Sequence, residues 1–422
     1  MNGSPVSRIC GYSLFTLFIV LPLFEWRGIN YSFFGDRSIS LFVILYFLSV
    51  VPLVIKQVAH QPEKGTPVEF KIFLYLIYGS LALFIATWEL LSAKKTAGAN
   101  TFTLIGMAVL FISAQIVFRK YSSKIWKHVP HVVMCMAAIY ATSAIIFLHF
   151  VNGTSLVGYI DVIESPIFTF SVRPWQLATI AAFSALLGTA IIIGSSREWH
   201  IYWIVPSLGY VVALTGSRSG FAGFWILWLV LSFWIVRERI KVDGKRRAQA
   251  LAAKLIGAVL IGLMALTLLP KTNLFDRYNT ALESAIIPSE SAIIPSESAR
   301  YQLWSSALKG GPASGQEPII GTTKFGSFHN AFLDIYVSSG YPAMLSFMVL
   351  IVTTGIGLIR AFTLSNLISD RTIRFALLLC FIQLLVHALI NPMLSFTAAW
   401  LMLGIFAASL GVGRLVVDDR NE

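Results

Sequence analysis

The chain has 422 residues, 56% of them hydrophobic and 12% charged, with 32 Lys and Arg against 20 Asp and Glu for a net charge of +12. A soluble globular domain devotes about 25% of its residues to charge, so this composition excludes an ordinary water-soluble enzyme. Apolar runs of about 18 residues, the length that crosses about 30 Å of hydrocarbon, recur along the chain, and their backbone is satisfied there as helix. The prediction is an all-α polytopic membrane protein, a single integral membrane domain over residues 1–422.

In chain order, about twelve transmembrane helices are expected from the runs and their polar punctuation, near residues 9–25, 38–55, 70–91, 99–118, 129–150, 175–195, 200–215, 219–236, 253–270, 328–359, 373–391 and 393–413. The first run ends in Phe24-Glu25-Trp26-Arg27 instead of a small-residue cleavage site, which reads as an uncleaved span. The run at 328–359 is long enough for a short helix at the membrane surface followed by a span. Cys10, Cys135 and Cys380 all fall inside apolar runs and read as small buried residues.

Lys and Arg concentrate on cytoplasmic segments. With the amino terminus inside, about two thirds of the basic residues fall on that side, the acids divide nearly evenly, and both termini are cytoplasmic. The positive charge is then a topology signal, and no nucleic acid partner is implied. The densest basic loop, Arg237 to Lys254 with Lys245-Arg246-Arg247, reads first as a stop-transfer and orientation signal, with anionic lipid headgroups as the alternative.

This orientation places two longer segments outside: a short periplasmic loop at 151–174, with Asp161, Glu164 and Arg173, and a large one at 271–327, expected to contain short helices. Loops beyond about 15 residues are uncommon unless functional or disordered. The larger loop holds a tandem copy of Ser-Ala-Ile-Ile-Pro-Ser-Glu, at 284–290 and 291–297. The proline in each copy opposes a continuous helix, and a tolerated surface insertion explains the repeat.

No phosphate-binding Gly-rich loop, His-Glu-x-x-His, nucleophile elbow or dinucleotide fingerprint is present. His128 and His131 have His-x-x-His spacing without a neighbouring carboxylate, so no metal and no cofactor are expected. Three polar groups fall instead on the outer side. Arg218 lies in Thr215-Gly-Ser-Arg-Ser-Gly220 between two apolar runs, where an unpaired cation is costly and marks function, though it could also snorkel to headgroups. Ser217 and Ser219 add hydroxyls, and Gly216-x-x-x-Gly220 is also a helix-packing pattern. Arg300 opens Arg300-Tyr-Gln-Leu-Trp304, spaced as a short amphipathic helix on the membrane. Its guanidinium could grip phosphate with paired hydrogen bonds or simply be solvated. Lys271, Arg277, Lys309 and Lys324 are weaker candidates. Third comes Phe328-His329-Asn330, with Asp334 and Gly340-Tyr-Pro342 downstream; a neutral imidazole there suits proton acceptance. His60, His149, His200 and His387 are assigned structural roles.

The Ser217–Gly220 turn, the Arg300-x-x-Leu-Trp304 segment followed by Pro318-Ile-Ile-Gly321, and His329-Asn330 with Gly340-Tyr-Pro342 together resemble the superfamily of bacterial O-antigen ligases and O-antigen polymerases. The motif resemblance covers about residues 215–345. The run after Gly321, Thr-Thr-Lys324, lacks the second glycine common in such proteins. The resemblance implies a glycosyltransferase of the bacterial inner membrane with its active site facing the periplasm. It would move a glycan from undecaprenyl diphosphate to a sugar hydroxyl of lipid A-core, without metal and with inversion. His329, Arg218 and Arg300 would be catalytic, and Ser217, Ser219, Asn330, Asp334 and Lys324 would contact substrate, with Asn330 and Asp334 either positioning the imidazole or serving packing and helix capping. A polymerase joining lipid-linked glycans, or a lipid or glycan transporter, are the alternatives.

Overall fold

The computed structural model describes residues 30–34, 37–40, 68–91, 108–109, 111–112, 114–115, 163–164, 169–170, 174–193, 198–214, 217–268, 304, 330–391, 393 and 397–410. Eight named helices make up most of these: α1 (Val68–Leu91), α2 (Pro174–Ile192), α3 (Ile201–Leu214), α4 (Arg218–Asp243), α5 (Lys245–Leu268), α6 (Ala331–Thr363), α7 (Ile368–Ile390) and α8 (Thr397–Leu410). Among the described residues, five helices, α1, α4, α5, α6 and α7, are long and apolar enough to cross a membrane. The protein is therefore a helical membrane protein. The expected spans at 9–25 and 129–150, and most of those at 38–55 and 99–118, lie outside the described residues, as does the loop at 271–327 apart from Trp304.

Three local features differ from the expectation. Two antiparallel ribbons, β1 (Asn30–Phe34) with β2 (Arg37–Ser40) and β3 (Ile163–Glu164) with β4 (Thr169–Phe170), accompany the helices. β1 and β2 pair from Asn30 with Ser40 to Phe34 with Arg37, and carry aromatic and β-branched residues that suit strands. β2 takes up the first positions assigned to the span at 38–55. The basic segment 237–254 is also not a loop, because α4 runs to Asp243, α5 begins at Lys245, and Gly244 alone joins them at φ 83°. Glycine accepts that positive φ, so the chain reverses without unwinding either helix. Finally, Arg218 and Ser219 belong to the first turn of α4, not to a connecting turn.

α6 matches the expected long run and is broken within it: Gly340 has φ 77° and ψ −177°, and Pro342 follows. Proline has no amide hydrogen to give to the preceding turn, and glycine tolerates the conformation, so the two together divide the helix into a short and a long piece.

Aromatic side chains hold the bundle together. Phe84 of α1 meets Phe347 of α6 at 5.4 Å between ring centroids and Trp400 of α8 at 6.3 Å. Lipid gives apolar helices no reason to associate, so close packing against small residues matters more than in water. Trp225 of α4 shows this: a β-carbon on Gly209 of α3 would stand 2.5 Å from its ring, and one on Gly262 of α5 2.9 Å. Ile72, Leu83 and Leu90 of α1, Ile226 and Phe233 of α4, and Ile256, Leu260 and Leu263 of α5 point outward among the described residues, as suits contact with lipid tails.

The two ends of the bundle follow from its contacts. At one end Arg360, near the end of α6, lies 5.3 Å over the Phe73 ring near the start of α1. Arg371 of α7 reaches Glu238 of α4 at 3.9 Å, and buried Arg374 binds Asp370 at 3.2 Å and donates to the Ser409 carbonyl at 2.9 Å. The opposite end carries the starts of α2, α4 and α6 and the end of α7.

Candidate functional site

Ser217 begins the site. Its backbone is extended and its Oγ accepts from the Gly220 amide at 3.2 Å, capping α4 so that Arg218 is the first helical residue. The cap satisfies one amide that the first helical turn leaves unpaired. Ser219 is half-buried and Gly220 is buried. A β-carbon on Gly220 would overlap that of Ala178, so the start of α4 lies directly on the start of α2. The backbone of Arg218 is described and its side chain lies outside the described residues.

Asn330 performs the same service for α6 and more. Its Oδ1 accepts from the amides of Phe332 and Leu333 at 3.0 and 3.1 Å, and its Nδ2 donates to the Leu389 carbonyl, near the end of α7, at 2.8 Å. An amide side chain has two acceptor and two donor positions, so three of the four are engaged within the protein. Asn330 is thus a capping and tethering residue. Asp334, one turn into α6, is buried. His329, directly ahead of the cap, lies outside the described residues, as do Arg300 and Lys324.

The end of α7 carries a buried polar ladder. The Gln383 side-chain nitrogen is 2.9 Å from His387 Nε2, and that of Asn391 is 3.1 Å from His387 Nδ1. A neutral imidazole donates from one nitrogen and accepts at the other, so one of the two amides presents its oxygen to the ring. Trp175 stacks on His387 with centroids 5.9 Å apart. A β-carbon at Gly223 of α4 would overlap the Gln383 amide. The ladder therefore touches α2 through Trp175 and α4 through Gly223, while Leu389 beside it receives the bond from Asn330.

These contacts bring two of the three sequence features to one end of the bundle. The Ser217–Gly220 segment meets α2 at Gly220, against Ala178. Trp175 of α2 covers His387 of α7, and α7 receives Asn330 of α6. The remaining feature reaches the same region through one residue, Trp304, which packs with Leu333 and Met344 against Tyr336 and Val337 of α6. Gln383, His387 and Asn391 were not singled out as a group in the sequence, although their fourfold spacing puts them on one face of a helix.

Three helix starts, those of α2, α4 and α6, meet here. The first turns of α2 and α4 contain no acidic residue, whereas that of α6 carries the buried Asp334. Helix starts present unpaired amides and the positive end of the helix dipole, an environment suited to anions.

No family model matches the chain. A protein of Haemophilus influenzae is 24% identical over 200 residues, an alignment that covers 42% of this chain and 47% of that protein. The chain thus spans about half the length of the curated relative it matches. That relative is described as an uncharacterized protein, so the likeness carries no activity with it.

Proposed function

We propose that this protein is an O-antigen ligase of the bacterial inner membrane, transferring a glycan from undecaprenyl diphosphate to a sugar hydroxyl of lipid A-core at the periplasmic face. The observation that carries the reading is the gathering of the Ser217–Gly220 turn and the Asn330 cap at one end of the bundle, linked through Trp175, His387 and Leu389. Residues about a hundred positions apart in sequence would serve one anionic, two-substrate site.

In this mechanism Arg218 and Arg300 hold the diphosphate oxygens, aided by the nearby helix starts. They neutralise the charge that grows as the bond from the anomeric carbon to phosphate breaks, a contribution worth about 10²-fold or more in rate. His329 accepts the proton of the acceptor hydroxyl as its oxygen forms the new bond to the anomeric carbon, worth about 10² to 10⁴. Undecaprenyl diphosphate departs from the opposite side, so the configuration inverts. The diphosphate is already a good leaving group, which removes the need for the paired carboxylates of a glycosidase. Ser217 and Asn330 act by fixing the helix starts, Ser219 and Lys324 line the approach, and Asp334, buried in the first turn of α6, helps position His329.

The test is ligation in membranes by His329→Ala and Arg218→Lys. Both are expected to fold and lose activity, the second because a point charge cannot reproduce a two-pronged guanidinium contact. Wild-type activity in either removes that residue from the mechanism. A polymerase would use the same donor chemistry, and only the acceptor separates the two. A transport reading draws on one observation, the break in α6 at Gly340 with buried His387 on the adjacent helix, since broken helices and buried polar groups accompany substrate passage. Substrate-dependent flux without a covalent product would favour it.

A further inference from the structure

The opposite end of the bundle presents a separate feature. Around Gly244 the side chains of Lys241, Lys245, Arg246 and Arg247 are exposed, beside exposed Ile240 and Val242. Ala248 is buried and turns the first turn of α5 so that its three cations face away from the bundle. The nearby carboxylates are already committed: Asp243 to Arg239 at 2.7 Å, Glu238 to Lys241 at 2.6 Å and to Arg371 at 3.9 Å, and Glu198 to Lys254 at 2.6 Å. Asp370 binds Arg374 at 3.2 Å. Among the described residues, Lys245, Arg246 and Arg247 form no ion pair with a carboxylate.

Three adjacent like charges repel one another, and the start of α5 adds the positive end of its dipole. The first turn of α5 contains no acidic residue to offset this. Their position along the helix indicates what does. Ile256, Leu260, Ile261, Leu263 and Met264 of the same helix face outward. Ile256 lies roughly 13 Å further along the axis than Arg247 at 1.5 Å per residue. The cations therefore sit where a helix leaves the hydrocarbon and enters the headgroup layer, with Ile240 and Val242 beside them at the same boundary.

We propose that Lys245, Arg246 and Arg247 form a binding site for the phosphate of an anionic phospholipid headgroup. The guanidinium groups pair with phosphate oxygens through two parallel hydrogen bonds and the ammonium adds charge, while acyl chains lie along the outward apolar face of α5. This site is at the far end of the bundle from Ser217 and Asn330 and does not depend on the glycosyl-transfer reading.

The test is lipid binding by the full-length purified protein, comparing phosphatidylglycerol with phosphatidylcholine by native mass spectrometry and in nanodiscs. The wild type is expected to retain phosphatidylglycerol preferentially. The triple variant Lys245→Gln, Arg246→Gln, Arg247→Gln is expected to lose about 10²-fold in that preference, from the attraction each basic residue contributes near an anionic surface. Undiminished preference in the folded variant overturns the proposal. A salt titration of the wild type needs no variant: the preference should collapse at high ionic strength, and a salt-independent preference contradicts it. Inorganic phosphate is the second probe. Failure of millimolar phosphate to displace the lipid supports a headgroup site, whereas displacement with equal binding of free phosphate overturns the lipid assignment.

Discussion

The side-chain nitrogen of Asn330 donates to the carbonyl of Leu389 across 2.8 Å, while the oxygen of the same amide caps α6. One side chain thus fixes where α6 begins and ties that point to the end of α7. Asn330→Ala removes both functions. Loss of a cap costs about 1 kcal/mol and loss of the tether about 1 kcal/mol more, which should appear as a lower unfolding temperature in detergent. Asn330→Asp keeps the cap acceptor and loses the donor, so it should retain more stability than the alanine variant while ligation still falls. Wild-type unfolding of Asn330→Ala would contradict this role.

His387 is buried and joins Gln383 and Asn391. His387→Leu leaves both amides without their ring partner, and a buried polar group stranded in this way costs about 1 to 3 kcal/mol. Replacing the amides as well, in a triple Leu variant, should recover part of that loss because no polar group is then stranded. Thermal unfolding of the single and triple variants reads this directly, and a triple variant less stable than the single one would count against the ladder.

Two glycines should respond in opposite ways to the same change. A β-carbon at Gly223 overlaps the Gln383 amide, whereas one at Gly79 of α1 meets nothing within 4 Å. Gly223→Ala should therefore displace the Gln383 amide from its contact with His387, lowering stability and ligation together. Gly79→Ala should be neutral or stabilising by up to about 1 kcal/mol, through the lower entropy of the unfolded chain. Equal effects from the two would argue against the close approach of α4 and α7.

The break in α6 offers a further test. Gly340→Ala forces a side chain into φ 77°, a conformation that costs about 1 to 3 kcal/mol for residues other than glycine. Straightening of α6 would move the segment carrying Asn330 and Asp334 relative to the rest of the helix. Ligation is expected to drop more than protein yield, measured as activity per unit of folded protein.

Much of the architecture was legible because hydrocarbon imposes a simple length rule on the chain. The runs at 70–91, 175–195 and 373–391 correspond to α1, α2 and α7 within a few residues, and the long run at 328–359 holds the short and long pieces of α6. The joint at Gly244 was not legible, since dense charge reads as loop although each exposed Lys and Arg is compatible with helix. Ser217 and Asn330 stand out in the sequence as polar residues at span ends, and the structure shows both as helix caps, a geometry that depends on local φ and ψ. His387 reads as structural in the sequence, and its fourfold spacing from Gln383 and Asn391 is the one local signal of the ladder. Its importance comes from Trp175, more than two hundred residues earlier, and no local pattern connects the two.

The proposed glycan transfer is measured most directly by offering the purified protein in liposomes an undecaprenyl-diphosphate-linked glycan with and without lipid A-core and resolving the products on a gel. A new glycolipid that requires lipid A-core and is absent with His329→Ala is the expected result. Lengthening of the lipid-linked glycan without that acceptor, or no covalent product from correctly folded protein, would contradict it.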